Sequence, residues 1–535
     1  MPPTRPWSGT EQETTGILYS MVSVAEITPL DPSAPGWTAR LLAFLRRHRV
    51  FAAAFAVGAV LRLITMLGYG PAMWFNDSYE YVSVALHPRP HPIRPDGYSF
   101  WLMLLKPFHS FTLVVFTQHL MGLATAALIY ALLRIRFRLP MWGATLAAAP
   151  VLFDAYQIQL EQLVMSDTQF MLLVVGVITL VLWKRRLSWK AGAVVGLLLA
   201  LTWLTRSIGL PILALVVLYL LVKRAGWRAI TAVVTACAIP VMAYMGWFAS
   251  AYGKFAMTNS DGLILYMRTA IFADCNKMDI DTYKEVELLL LCINDPVEQR
   301  KDYAQWYLWG QGNGDGTGTG EVLHRWGTNK KWSEITNDAA SAFATRAILS
   351  QPGDYLNVVV RDFLRSFHWS RPRFPDESTY NMYQFKPYVE IDENGQPKRL
   401  PKWASYAGGR TDTDAFAYEQ GPPETRVVHP WADIMSGYQK IFYLRGIMLG
   451  GILLIGLYGV VVRWRKVGGP VVLPWLGAVG LLLAPAATAE FDYRYVLPAV
   501  PLACIAAAIT LRRGVTWGRR SPRSRRASAP TTPRT

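Results

Sequence analysis

The chain has 535 residues, of which 52% are hydrophobic and only 17% charged, with 20 Trp, 25 Tyr and 22 Phe. An ordinary soluble domain carries roughly 25% charged residues, so a disordered chain, a coiled coil and a small disulfide scaffold are excluded, and a row of soluble domains fits poorly. The 54 Lys and Arg against 37 Asp and Glu leave a net charge of +17, and where those charges sit decides against a nucleic-acid partner.

Apolar runs recur at lengths close to the ~20 residues that cross a bilayer. The sequence predicts membrane helices over 51–67, 111–133, 141–153, 163–183, 189–204, 208–222, 230–249, 438–462, 471–488 and 495–511. A shorter apolar piece, 98–108, reads as a helix lying at the interface. The expected fold class is therefore an all-α polytopic membrane protein of about ten transmembrane helices, with a mixed extracytoplasmic domain.

Threading alternate sides sorts the charges. The loops 40–49, 134–138, 184–190, 223–228 and 463–466 and the tail after 511 carry 25 Lys and Arg and no Asp or Glu. Short loops rich in Lys and Arg mark the cytoplasmic face, which places both termini inside a plasma or inner membrane. The expected division is a cytoplasmic segment 1–40, a membrane region 41–250, an extracytoplasmic domain 251–437, membrane helices 438–511 and a basic tail 512–535. That tail reads as a non-regular end attracted to anionic lipid. No cleavable leader is expected in the first twenty residues, and Met21 remains an alternative start. The glycine-rich stretch 310–320 lacks a strand before it and a helix after it, so it reads as a surface loop rather than a phosphate cradle.

Four cysteines divide by compartment. Cys237 and Cys504 fall inside predicted spans as packing residues. Cys275 and Cys292 fall in the outer domain, on the oxidising side of an envelope, and are expected to form a disulfide.

Ionisable residues at membrane depth are costly and tend to mark a site. Four clusters sit at the outer ends of spans. In Trp74-Phe75-Asn76-Asp77-Ser78-Tyr79-Glu80-Tyr81, a helix would bring Asp77, Glu80 and Tyr81 to one face, as a base or ligand set or as a capped, solvated loop. In the second, Asp154 and Glu161 share a face if the helix is continuous, and Asp167 is either a site residue or a helix cap. Arg206, in Thr205-Arg206-Ser207-Ile208-Gly209, either snorkels or holds a phosphate with its planar fork. Arg494, in Glu490-Phe491-Asp492-Tyr493-Arg494-Tyr495, is either locally ion-paired or a second phosphate anchor. Arg62, inside the first span, faces the bundle or snorkels and is given no chemistry. The Pro-rich loop 87–91 has no helical His spacing for a metal.

Taken in order along the chain, these segments resemble the GT-C fold, the polytopic glycosyltransferases that use polyprenyl-phosphate sugars, and most of all the branch of protein O-mannosyltransferases and lipid A aminoarabinose transferases. Arg62 precedes Asn76-Asp77-Ser78-Tyr79-Glu80-Tyr81 as an arginine precedes an acidic motif in that branch. Glu161 to Asp167 is similar to its acidic stretch at the start of the fourth span, Leu204 to Leu210 to its Arg-x-x-Gly-Leu turn, and Arg494-Tyr495-Val496-Leu497-Pro498 to its Arg-Tyr-x-x-Pro segment. The family often has Asp-Glu where this chain has Asn76-Asp77.

The resemblance implies Asp77 as catalytic base and leaves Glu80 and Glu161 as candidates for the second carboxylate. It implies Tyr81, Asp167, Arg206, Arg494 and Tyr495 as substrate-binding residues, a polyprenyl-phosphate sugar as donor, and an unidentified envelope glycan, lipid or protein as acceptor. No metal or other cofactor is expected to be obligatory, with a divalent cation (Mg or Mn) held by carboxylates as the alternative. A lipid-linked sugar flippase or secondary transporter is the competing class. Transporters concentrate ionisable groups at the midplane, often within inverted repeats, whereas here they cluster at outer ends and no repeat is evident. A non-catalytic envelope assembly protein is the third reading.

Overall fold

The apolar runs named above are largely helical, though the run 438–462 is divided between two helices, in the computed structural model, which describes residues 45–512 apart from 185, 282, 311–322, 324–331 and 393. The segment 1–40, nearly all of the basic tail and residues 311–320 of the glycine-rich stretch lie outside the described residues. Residues 1–52 and 53–535 separate into two compact units, and of the first only 45–52, largely helical, are described.

In chain order the longer helices are α1 (Arg49–Gly68), α2 (Asn76–Leu86), α3 (Gly97–Leu105), α4 (Phe111–Ala131), α5 (Met141–Phe153), α6 (Ala155–Gln162), α7 (Asp167–Trp183), α8 (Trp189–Thr205), α9 (Gly209–Val222) and α10 (Trp227–Tyr252). After these come α11 (Asp261–Ala270), α12 (Glu334–Ser350), α13 (Pro352–Arg365) and α14 (Thr411–Glu419). The chain then returns to apolar helices through α15 (Trp431–Ile441), α16 (Gly446–Val462), α17 (Val472–Thr488) and α18 (Ala499–Leu511).

Among the described residues four helical runs are both long and apolar enough to cross a membrane: Arg49–Gly68, Phe111–Arg136, Trp227–Tyr252 and Tyr493–Leu511. Another five apolar helices have 10–17 residues, and α15 and α16 form a pair bent by 55°. Large apolar side chains such as Val60, Leu63, Leu218, Ile239, Met242 and Leu454 face outward. Apolar surface on that scale suits lipid, not water. The chain is thus a helical membrane protein, with its number of spans bounded by these lengths. The predicted helix 163–183 begins later than expected. Leu163 leaves the helical path and pairs with Met73, so α6 and α7 are separate.

Polar caps and small residues explain the local choices. Ser110 accepts from Leu113 N at the start of α4 and Asp154 accepts from Tyr156 N at the start of α6, satisfying N–H groups that a helix start leaves open. Gly192 and Gly196 let α8 run against the backbone of α10, because a Cβ at Gly196 would lie 2.3 Å from the Val233 carbonyl oxygen. Close approach through small residues is a principal means of helix association in lipid.

The segment inserted between α10 and α15 was expected to mix strands and helices. Its described residues are helices and loops, with isolated bridges at Ile391 and Ala404 but no strand. Its core packs Leu263, Tyr266 and Met267 of α11 against Ala340 and Phe343 of α12. Cys275 and Cys292 form a disulfide beside that core, 17 residues apart, while Cys237 and Cys504 are free and buried. Closing a loop of this size stabilises by about 3 kcal/mol in the chain-entropy model. Replacing both by Ser is expected to cost most of that amount, read as a lower midpoint for unfolding of the inserted segment by limited proteolysis.

The insert grips the residues that follow α1. Trp74 Nε1 donates to the Pro423 carbonyl at 2.9 Å, Thr425 Oγ1 to Ala72 O at 2.6 Å and Ser83 Oγ to Asp414 Oδ2 at 2.5 Å. These bonds fix the entrance to α2, where the charged residues gather.

Candidate active site

Asp77 lies in the first turn of α2, where a carboxylate is favoured by the helix dipole. Its two oxygens take separate partners. Arg494 Nη1 donates to Oδ2 at 2.8 Å, and Arg94 Nη1 lies 2.8 Å from Oδ1 as an ion pair off the line of a hydrogen bond. Burial would push this carboxyl up, but the two guanidiniums outweigh it and hold Asp77 well below the usual carboxylate range.

Arg494 is itself held on several sides. Its Nε lies 3.1 Å from Asp492 Oδ2, its Nη2 donates to the Tyr495 hydroxyl at 3.2 Å, and its Cζ sits 4.9 Å from the Phe75 ring centre. Asp492 accepts in turn from the Tyr383 hydroxyl at 2.9 Å. Next to Tyr383 the buried Arg371 guanidinium stands 4.6 Å from the rings of Tyr156, Tyr383 and Tyr493 and 4.9 Å from Tyr380. Tyr495 continues the chain, its ring centre 5.0 Å from Arg206 Cζ, and Arg206 is ion-paired with Asp167. Asp167 does not cap α7: one of its oxygens takes Arg206 and the other has no partner among the described residues.

The structure therefore joins Asp77, Arg494, Tyr495, Arg206 and Asp167 into one connected array. Tyr81 shares a 3.0 Å hydrogen bond with Ser166 and lies under the Arg94 guanidinium at 5.4 Å. All of these except Ser166 line a cavity of about 1400 Å³. Apolar residues of the membrane helices (Trp203, Leu210, Pro211, Leu481 and Ala484) form part of its wall, and aromatic and polar residues of the insert form another part.

Two expected carboxylates stand outside that connected array. Glu80 does line the cavity but its oxygens are occupied: Trp403 Nε1 donates at 3.1 Å, Ser405 Oγ at 2.8 Å and Tyr406 N at 3.3 Å, with His91 Nε2 at 3.2 Å. Burial opposes its charge, yet the bonds from His91 and Ser405 keep it below its ordinary value. Glu161 is not part of the cavity. It is fully buried on α6, with Arg62 Nε and Nη2 donating at 2.7 and 2.8 Å, Gln157 Nε2 at 3.0 Å and His119 Nδ1 at 2.9 Å. Arg62 faces inward, and its partner lies 99 residues away in sequence. Asp154 and Glu161 do not act as a pair, since Asp154 is spent on the α6 start and on Leu444 N.

Arg94, which pairs with Asp77 in the cavity, is marked by no motif in the sequence. It lies in a loop rich in Pro and His with no periodicity, and only its positive charge on the acidic side of the threading could have drawn notice. Glu490, close to Arg494 in sequence, instead accepts from Ala304 N at 2.7 Å and Gln305 N at 3.3 Å. Among the described residues no group of three or more His, Cys, Asp and Glu is placed to hold a metal.

Burial pushes the Glu490 carboxyl up to about 8 and the Asp96 carboxyl to about 7. Between the ordinary carboxylate value and these raised values the folded protein holds protons that the unfolded chain has lost, so stability falls as pH rises. Asp77 runs the other way and loses its contribution only below the usual carboxylate range. Thermal unfolding in nanodiscs is expected to come on the order of a few degrees higher at about pH 6.5 than at about pH 8.5, and Glu490→Gln should flatten that slope.

No family model matches the chain, and no curated protein matches it. Among solved structures, it is similar to the archaeal oligosaccharyltransferase AglB from Archaeoglobus fulgidus in complex with an inhibitory peptide and a dolichol-phosphate, at 14% identity and a TM-score of 0.38, covering 88% of this chain and 50% of that one. The Archaeoglobus fulgidus oligosaccharyltransferase in its apo form gives 14% identity and a TM-score of 0.40 over 86% and 50%. The same enzyme tethered with an acceptor peptide containing the NVT sequon gives 11% and 0.33 over 85% and 49%. The chain spans about half the length of these structures.

Proposed function

We propose that this protein is an integral-membrane glycosyltransferase that moves a sugar from a polyprenyl-phosphate donor to a cell-envelope acceptor on the extracytoplasmic side, in a plasma or inner membrane with both termini cytoplasmic. One observation carries the proposal: an aspartate clamped by two arginines shares a cavity with a third arginine and with apolar residues of the membrane helices. Such a lining suits an amphiphile with an anionic head, and a lipid phosphate is one.

In the proposed reaction the acceptor hydroxyl oxygen bonds to the anomeric carbon as the bond from that carbon to the phosphate oxygen breaks. Asp77 takes the hydroxyl proton, and polyprenyl phosphate leaves with the electron pair. Charge grows on the phosphate, where guanidiniums fixed in a buried site stabilise it without reorganising. Arg206 and Arg494 are the proposed anchors, and Arg94, paired with Asp77 in the same cavity, is proposed as a third. Asp77, held strongly acidic by Arg94 and Arg494, is a weak base while those pairs are intact. A phosphate drawing the guanidiniums toward itself raises the proton affinity of the aspartate, so donor binding and base activation are coupled. The proposal includes no obligatory metal; a divalent cation at Asp77 would have to displace two guanidiniums, and activity unchanged by a chelator is the expected result.

Release of free polyprenyl phosphate from labelled polyprenyl-phosphate sugars, by the full-length protein in nanodiscs with native envelope extract, tests the reaction. Release is expected from at least one donor. None from any donor, with the protein folded and lipid-bound, would point instead to a lipid-linked sugar flippase or transporter.

A further inference from the structure

The insert contributes an aromatic wall to the cavity: Tyr303, Trp306, Trp309, Trp403 and Tyr406. Trp403 and Tyr406 belong to one short loop, and each already has a polar partner. The Trp403 indole N–H is given to Glu80, and the Tyr406 hydroxyl accepts from Trp332 Nε1 at 2.8 Å. The two residues nonetheless remain 37% and 38% exposed. Tyr79 meets the Trp403 ring and His91 the Tyr406 ring in T-shaped contacts at 5.4 and 5.5 Å, so what the loop offers a ligand is the remaining exposed ring surface and the hydroxyl proton of Tyr406. A saturated ring with a patch of C–H bonds, such as a pyranose, presents the complementary positive edge to an aromatic face.

Glu80 explains why this platform belongs to the reaction. Three of its bonds come from Trp403, Ser405 and the backbone of Tyr406. It stands one helical turn after Asp77 on α2, about 4.5 Å along the axis. The loop is thereby pinned to the same rigid helix as the proposed base. Extended peptides are commonly captured by pairing with an exposed strand edge, and among the described residues the cavity wall has no strand.

We infer that the Trp403–Tyr406 loop is an acceptor subsite and that the acceptor is a carbohydrate, with Glu80 a positioning residue for the loop and not a chemical one. This rests on the glycosyltransferase reading and names its acceptor class.

Saturation-transfer NMR on the full-length protein in nanodiscs tests the platform without needing turnover. The probes are neutral pyranose disaccharides and an uncharged Ser/Thr-containing peptide. Disaccharide C–H signals are expected to saturate with the wild type, to fall several-fold with Trp403→Ala, and to survive in Trp403→Phe, which keeps a ring in place should the alanine variant fail to fold. Trp227→Ala, at an exposed position outside the cavity, should match the wild type. In turnover assays Glu80→Gln is expected to raise the acceptor KM about tenfold with kcat little changed, a split that a general loss of fold would not produce. Absence of disaccharide signals, equal signals with Trp403→Ala in folded protein, or peptide binding in their place overturns the inference. If polyprenyl phosphate is still released in that case, the glycosyltransferase reading stands alone. Disaccharide binding without release from any donor removes the acceptor role along with the reaction.

Discussion

Asp77→Asn is expected to slow sugar transfer by about 10²- to 10⁴-fold, the range general-base catalysis supplies, while binding polyprenyl phosphate more tightly than the wild type. The two effects share one cause. In the wild type the aspartate oxygens occupy Arg94 and Arg494 at 2.8 Å each, so an arriving phosphate competes with a carboxylate for the same guanidiniums. Asparagine keeps the shape and one acceptor oxygen but removes the negative charge, leaving both arginines freer for the phosphate. A fluorescent polyprenyl phosphate titrated into both proteins, alongside single-turnover transfer, separates binding from chemistry. Transfer at the wild-type rate would remove Asp77 as the base. Weaker phosphate binding in the variant would show that Arg94 and Arg494 do not hold the donor.

Arg62→Met alone is expected to yield little folded protein, because removing one partner of a buried ion pair costs roughly 3–5 kcal/mol. Glu161 would then be fully buried with its charge answered only by Gln157 and His119. Replacing both members, Arg62→Met with Glu161→Leu, should recover much of the loss, since apolar residues of similar volume often replace a buried pair at little cost. Thermal unfolding of the four proteins in nanodiscs supplies the double-mutant cycle. Activity of the recovered double variant then decides the role of Glu161. Transfer near the wild-type rate fits a structural carboxylate outside the cavity. Loss as deep as that of Asp77→Asn, in folded protein, would restore the chemical role suggested by its place in the sequence.

Those two carboxylates show what a sequence exposes and what it hides. Both stand at the outer end of a predicted span, and the charge pattern gives them equal claims. Only the third dimension brings Arg62 to one and Arg94 and Arg494 to the other. The apolar runs were legible because burial in lipid acts on every residue of a helix, so α1, α4 and α10 appear nearly where expected. Breaks in helical path were harder, because a break such as Leu163 depends on a backbone partner at Met73. Arg206, Arg494 and Tyr495 could be singled out as charged or aromatic residues at span ends. Arg494 and Tyr495 are neighbours in sequence, but the contact of Tyr495 with Arg206, the pairing of Arg494 with Asp77 and the part played by Tyr383 from the insert join residues more than 100 apart, which leave no local signal.

Tyr383 sets a limit on dissecting this protein. Splicing α10 directly to α15 would keep Asp77, Arg94, Asp167, Arg206 and Arg494, every charge that the proposed reaction uses. It would also remove the hydroxyl that holds Asp492, the ring stacked on Phe75 at 5.2 Å, and Arg371 from its place among the tyrosines. Asp492 would keep its bond from the Arg494 backbone N–H and its ion pair with the side chain but lose the third group that fixes its orientation, and the arginine that grips Asp77 would be held less firmly. The membrane helices are therefore not a portable unit: the insert is a structural part of the charged array, and a truncated protein could retain every charged group and still lack the geometry that joins them.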